Sequence, residues 1–302
     1  MGVLPLDVVR NRIDVPDVPI PEGRMVDLPG RGGSTYVTDT AGPSPDSPTV
    51  VLLHALGCTG LLTWFPAIEP LSERFRVVTL DLRWHGQGIR SEEFSLVDCA
   101  DDVAALIGLL GLEDVIVAGY SMGSIVAQRV WRQHPDCLQG LVLAASTDRF
   151  QRTPYERFFF AGMGATMLAT RELSRSRSAV RAARAAAERV DLEPTDIQAW
   201  ALREFRSTSP WAVGQALAAL GRHHSRPWLG RIDVPTAVVV NTRDRVVPTA
   251  RQYALARAIP GATVHEVEDG HAACVLGAER FVPGFLEAVA TVNARRRDLR
   301  RR

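Results

Sequence analysis

Six short, uninterrupted apolar runs constrain this chain most: TVVLLH (49–54), RVVTL (76–80), DVIVAG (114–119), GLVLAA (140–145), TAVVVN (236–241) and ATVHEV (262–267). They are rich in valine and lack the alternation of a strand with one wet face, so both faces of each strand must be covered. Segments with helical character lie between them, near 63–74, 96–110, 122–134, 250–258 and 275–293. Such strand–helix alternation predicts a parallel sheet with helices on both sides.

The alternation breaks between about 147 and 230, where the chain reads as mostly helical. That stretch is expected to be a helical insertion between two strands of the sheet. The predicted division is therefore a core formed by 1–146 and 231–302 and an inserted segment, 147–230. TAGPSPDSP (40–48) reads as a turn-rich loop. The six arginines of the final ARRRDLRRR read as a solvated, frayed tail.

Composition narrows the function. A chain of 302 residues that is 46% hydrophobic can bury a large core without metals or disulfides. Its 35 basic and 34 acidic residues nearly cancel, so no global field points to nucleic acid. All the basic residues are arginine, which excludes Schiff-base, Ser-Lys and P-loop lysine chemistry. Cys58, Cys99, Cys137 and Cys274 are widely spaced, with no CxxC pair, so neither a zinc nor a redox site is expected. The N-terminal stretch lacks the apolar centre of a secretory signal, and no segment is long enough to span a bilayer. A cytoplasmic protein without stable membrane insertion is expected. Homo-oligomerisation is left open.

The chemistry concentrates in VIVAGYSMGSIVAQRVW (116–132). A G-x-S-x-G motif alone is weak evidence, arising by chance in roughly one in ten chains of this length. Its position raises its value. A strand ending at Gly119 and a helix starting near Met122 force a sharp turn, where side chains at 119 and 123 would collide with backbone. The turn would lift the Ser121 hydroxyl to the C-terminal edge of the sheet, beside a helix N-terminus that favours negative charge. A serine hydroxyl needs a base, usually a histidine oriented by a carboxylate. Asp244 follows one predicted strand and His271 the next, both on that edge and in the order Ser, acid, His.

Four blocks, LLHALGCTG, LDLRWHGQG, AGYSMGS and NTRDRVVP…DGHAACV, resemble the α/β-hydrolase family over nearly the whole chain except the insertion. The resemblance implies a mostly parallel eight-stranded sheet flanked by helices, with a helical lid inserted after the sixth strand. It implies Ser121 as nucleophile, Asp244 as acid and His271 as base. The backbone N–H groups of Met122 and Leu56 would form the oxyanion hole. A serine at 121 separates the chain from the dehalogenase and epoxide-hydrolase branches, which use aspartate there. Three positions depart from the pattern. Ala55 replaces a glycine and suits its place only without a positive φ. Trp84 stands where glycine is common, and Ser124 ends the serine block.

Several residues have a second role open to them. Asp148, after the sixth strand, is a rival for the acid. His54 and His85 read as structural, His223 and His224 as exposed, and His265 as facing the core or a helix. Trp64, Phe159 and Met163 are candidate substrate contacts, although core packing is the plainer role for an aromatic residue. Arg149 and Arg152 could meet a substrate carboxylate.

The expected function is hydrolysis of a carboxylic ester of a small, fairly apolar molecule through an acyl-enzyme, with no cofactor or metal. C–C bond hydrolysis of the meta-cleavage-product type, acyl transfer and perhydrolysis use the same triad. A receptor-like ligand-binding protein with a little-used triad is the alternative of another class.

Overall fold

A computed structural model describes residue 16 and residues 18–151 and 197–301. Eight strands form one sheet: β1 (Gly23–Leu28), β2 (Gly33–Thr40), β3 (Thr49–Leu53), β4 (Arg76–Leu80), β5 (Val115–Tyr120), β6 (Gly140–Ala144), β7 (Thr236–Asn241) and β8 (Thr263–Val267). Their spatial order is β1-β2-β4-β3-β5-β6-β7-β8. Only β2 runs against its neighbours; every pairing from β4 to β8 is parallel.

The runs of β3 to β7 become strands because nearly every residue meets a covered face; β8 departs from the expectation, since it is the edge strand and leaves Val264 and Glu266 exposed on one face. Val51, Leu53, Val117, Leu143 and Val238 point into one hydrophobic layer; Val50, Leu52, Ile116, Val142 and Val239 point into the other. The first layer is closed by α2 (Leu96–Leu109) and α3 (Met122–Gln133). The second is closed by α1 (Gly60–Ser72) and the C-terminal helix described below. Side chains fix the helix starts: Thr59 Oγ1 accepts from Leu62 N at 3.1 Å, and Ser95 Oγ accepts from Val97 N and Asp98 N. Such caps contribute about 1 kcal/mol each.

β1 and β2 have no counterpart among the six apolar runs. They alternate rather than run, with Val26 and Leu28 buried between exposed neighbours. At the sheet edge one covered face suffices. Between β6 and β7 the described chain forms α4 (Ile197–Ser207), α5 (Pro210–Arg222) and α6 (Arg226–Leu229), a helical insertion in the place expected. After β7 come α7 (Thr249–Ala258), α8 (Ala273–Leu276) and α9 (Ala278–Arg300).

Two further expectations need correction. His223 is buried rather than exposed, because the chain turns after α5 and brings its ring against Trp228. His224 is exposed as expected. The basic end is not a frayed tail up to Arg300, since α9 continues through it. Arg296 is buried and pairs with Asp114 at 3.4 Å, and Arg295 donates to the Gly261 carbonyl.

The buried histidines set a pH dependence. Burial pushes His54 down to about 3, His85 to about 4 and His223 to about 3. Unfolding restores them to about 6.5, so each contributes stability that is present above pH 6.5 and lost as pH falls toward its folded value. Burial acts oppositely on Asp81, whose carboxyl is pushed up to about 6 and which loses stability as pH rises through about 4 to 6. Three imidazoles against one carboxylate leave a net uptake of about two protons on unfolding near pH 5. Urea unfolding from pH 5 to pH 7.5 is therefore expected to show stability rising with pH; a flat or falling profile would contradict this.

Candidate active site

Ser121 sits between β5 and α3 with φ 53° and ψ −110°, a strained conformation costing about 1–3 kcal/mol. Its surroundings enforce the turn. A Cβ on Gly119 would lie 2.2 Å from the Gly123 carbonyl carbon, and one on Gly123 would lie 2.1 Å from Leu53 O. The two glycines let α3 start directly against the ends of β5 and β3. The backbone is pinned from the neighbouring strand. Ser121 N donates to Ala144 O at 2.9 Å, and Ser146 Oγ donates to Ser121 O at 3.1 Å. Ser124 uses its hydroxyl locally, placed to donate to Gly119 O or Ala144 O.

His271 follows β8, and its Nε2 lies 3.0 Å from Ser121 Oγ. Its Nδ1 lies 2.7 Å from Asp244 Oδ2. Asp244, in the loop after β7, is fully buried at its side chain. Its Oδ1 accepts from Val246 N at 2.8 Å and Val247 N at 2.9 Å. Its Oδ2 also accepts from Gln252 Nε2 at 3.1 Å. A carboxylate surrounded by donors acts as acceptor to the imidazole as well. His271 therefore carries its proton on Nδ1 and turns a lone pair on Nε2 toward the serine hydroxyl. That chain can deprotonate Ser121 as it attacks a carbonyl.

The loop after β3 approaches the same place, because α3 begins in contact with Leu53 and His54. Among the described residues, neither the N–H of Leu56 nor that of Met122 meets an acceptor. Met122 is the first residue of α3, where an N–H has no intrahelical partner. Ala55 keeps a negative φ, and the left-handed conformation falls two residues later, on Gly57 at φ 75°. The substitution of alanine for glycine at 55 thus costs the loop no backbone strain. Beneath the loop, the fully buried His54 ties the chain just after β3 to the chain just after β4. Its Nε2 accepts from Leu82 N, and its Nδ1 bonds the Ala55 carbonyl.

The remaining candidates fall as follows. Asp148 is buried but bonded by Thr147 Oγ1, and His271 Nδ1 bonds Asp244 instead. Arg149 lines a separate cavity of about 400 Å³ with Asp148, Arg226, Ala254 and Arg257. Trp64 is wholly buried against Tyr120, Phe281 and Phe285, a core position that offers a substrate no surface. Trp84 takes a positive φ, packs in the core and donates its indole N–H to Ser91. Phe159, Met163 and Arg152 lie outside the described residues.

Three further buried polar residues surround Ser121, His271 and Asp244: Tyr120, Asn241 and Gln252. The only hints were a tyrosine between Gly119 and Ser121 and an asparagine ending a valine run.

Residues 48–278 match the family model described as the alpha/beta hydrolase fold. A pimeloyl-[acyl-carrier protein] methyl ester esterase from Chromobacterium violaceum is 28% identical over 257 residues, covering 84% of this chain and 97% of that protein. The crystal structure of a hydrolase from Pseudomonas aeruginosa superposes with TM-score 0.70 at 21% identity, covering 90% of this chain and 98% of the other. An esterase from Exiguobacterium antarcticum also gives TM-score 0.70, at 20% identity, covering 89% of this chain and all of the other. At those identities the two structures establish the fold alone.

Proposed function

We propose, for a chain that belongs to the α/β-hydrolase fold family and is a serine hydrolase acting on a small ester, that Ser121 is the nucleophile, His271 the general base and Asp244 the residue that orients it. The observation carrying this assignment is the unbroken run of hydrogen bonds from Ser121 Oγ through His271 to Asp244. His271 takes the serine proton as Oγ attacks the ester carbonyl. The tetrahedral oxyanion is held by the N–H groups of Leu56 and Met122, each worth ~3 kcal/mol to the transition state. Collapse expels the alcohol, protonated by His271, and leaves an acyl-enzyme. Water deprotonated by His271 then releases the acid and restores Ser121.

The substrate is proposed to be fairly apolar. Phe205 and Val246 are large apolar side chains left exposed, Val246 in the acid loop and Phe205 facing Gly57 of the oxyanion loop. Leu276, just after His271, is exposed too. Residues 147–230 are proposed as the lid. Supporting this, Thr59 beside the oxyanion loop donates to Glu204 of α4, and Gly86 N donates to Thr208. Among the described residues no helix is long and apolar enough to cross a membrane. The four unpaired cysteines support a cytoplasmic setting. The esterase named among the relatives supports ester rather than C–C chemistry.

The test is a panel of p-nitrophenyl esters of increasing acyl length, with Ser121→Ala as control. The expected result is Ser121-dependent turnover with kcat/KM rising from acetate to medium-chain acyl groups. Turnover surviving Ser121→Ala would move the chemistry elsewhere, and a preference for charged acyl groups would overturn the proposal of an apolar substrate.

A further inference from the structure

Asp244 and His271 stand on separate loops after separate strands, and one carboxylate–imidazole bond is a thin connection between them. Gln252 sits on α7, wholly buried, with every polar atom engaged. Its Oε1 accepts from Asn241 N at 3.0 Å. Its Nε2 donates to Val247 O at 2.8 Å and to Asp244 Oδ2 at 3.1 Å. These partners fix the amide orientation, since a flipped amide would set its oxygen against two acceptors. Gln252 thus holds the same oxygen that receives His271 Nδ1.

The connection continues from Asn241, the last residue of β7. Its Nδ2 donates to Tyr120 Oη at 2.6 Å and to the Gly270 carbonyl at 2.9 Å. Tyr120 Oη in turn donates to the His271 carbonyl at 2.9 Å. Tyr120 is the residue before the serine, and its ring is wedged edge-on against Trp64 and Phe281. A closed circuit results: Ser121, His271, Asp244, Gln252, Asn241, Tyr120 and back to Ser121 along the chain. Each loop bearing a reacting group is tied twice, once through its side chain and once through buried amide or phenol groups.

We propose that Gln252 is a positioning residue for this reaction, holding Asp244 Oδ2 in line with His271, and that Tyr120 and Asn241 hold the His271 main chain to the serine turn. The inference rests on the triad reading above. Gln252 touches no substrate and acts only through Asp244. Its removal should therefore lower kcat rather than raise KM, and should matter only while Asp244 can carry the effect.

The experiment is a double-mutant cycle on p-nitrophenyl butyrate hydrolysis by the full chain. Gln252→Met keeps the shape and removes the hydrogen bonds. It is expected to lower kcat about 10-fold with KM within twofold, and to change kcat less than twofold in an Asp244→Asn background. Tyr120→Phe removes one oxygen from the circuit and is expected to lower kcat several-fold at unchanged KM. It serves if Gln252→Met fails to fold, as judged by circular dichroism. An equal loss from Gln252→Met in both backgrounds, or no loss from a folded variant, overturns the proposal, because a merely structural role is additive. Wild type and Ser121→Ala report separately on the underlying reading. If wild type is inert or Ser121→Ala is active, the triad assignment fails and this inference with it.

Discussion

His271→Ala is expected to lower kcat by about 10⁴-fold or more while leaving the far-UV spectrum and thermal midpoint close to wild type. The size follows from the geometry. The imidazole alone connects Ser121 Oγ, 3.0 Å away, to the buried carboxylate 2.7 Å on its other side. Without it the hydroxyl keeps its proton and Asp244 has nothing to orient. Only the proposed oxyanion donors, the N–H groups of Leu56 and Met122, would remain to assist solvent attack. Stability should change little, because the ring is partly exposed and the main chain of its loop is held by Tyr120 and Asn241 rather than by the imidazole. Steady-state kinetics on a p-nitrophenyl ester, with a thermal melt of the same sample, reads both quantities. A loss under 100-fold would mean that another base serves the serine.

Gly123→Ala is the second large effect. The added methyl would meet Leu53 O at 2.1 Å, Leu53 C at 2.5 Å and His54 O at 2.8 Å. All three are backbone atoms of the strand end that carries the oxyanion loop, so relief requires moving that strand or lifting α3. Stability is expected to fall by about 3 kcal/mol, the upper part of the usual overpacking range. Activity should fall more than 100-fold, because either movement separates Ser121 and Met122 from Leu56. Gly108→Ala supplies the contrast. Nothing lies within 4 Å of its added methyl, in the last turn of α2, and stability should rise by up to about 1 kcal/mol. Urea unfolding of both variants checks the opposite signs; a Gly123→Ala protein as stable and active as wild type would mean that the turn tolerates what its geometry forbids.

The parts legible in sequence were those where burial dictates residue type. β3 to β7 are covered on both faces and appear as apolar runs, β8 at the far edge keeps one wet face with Val264 and Glu266 exposed, and β1 and β2 hide in GRMVDL and GSTYVTDT. The meeting of Ser121, Asp244 and His271 was legible because each follows a strand of the parallel part of the sheet, and the C-termini of parallel strands share one edge. The Ala55 question needed coordinates: which residue of a loop takes the positive φ depends on the whole path, and here it is Gly57. Trp64 shows the limit of residue type as evidence, since an aromatic beside an active-site loop packs inward against Phe281 and Phe285. Gln252 and Asn241 were illegible because their partners come from other strands and from backbone atoms, which no local pattern encodes.

The most direct test of the central claim is the reaction of wild-type protein with a fluorophosphonate, followed by mass-spectrometric mapping of the adduct. An activated serine displaces fluoride and keeps the phosphonyl group, so the prediction is one adduct per chain, on Ser121, lost in Ser121→Ala and strongly slowed in His271→Ala. An unmodified wild-type protein, or an adduct on any other residue, would contradict the account.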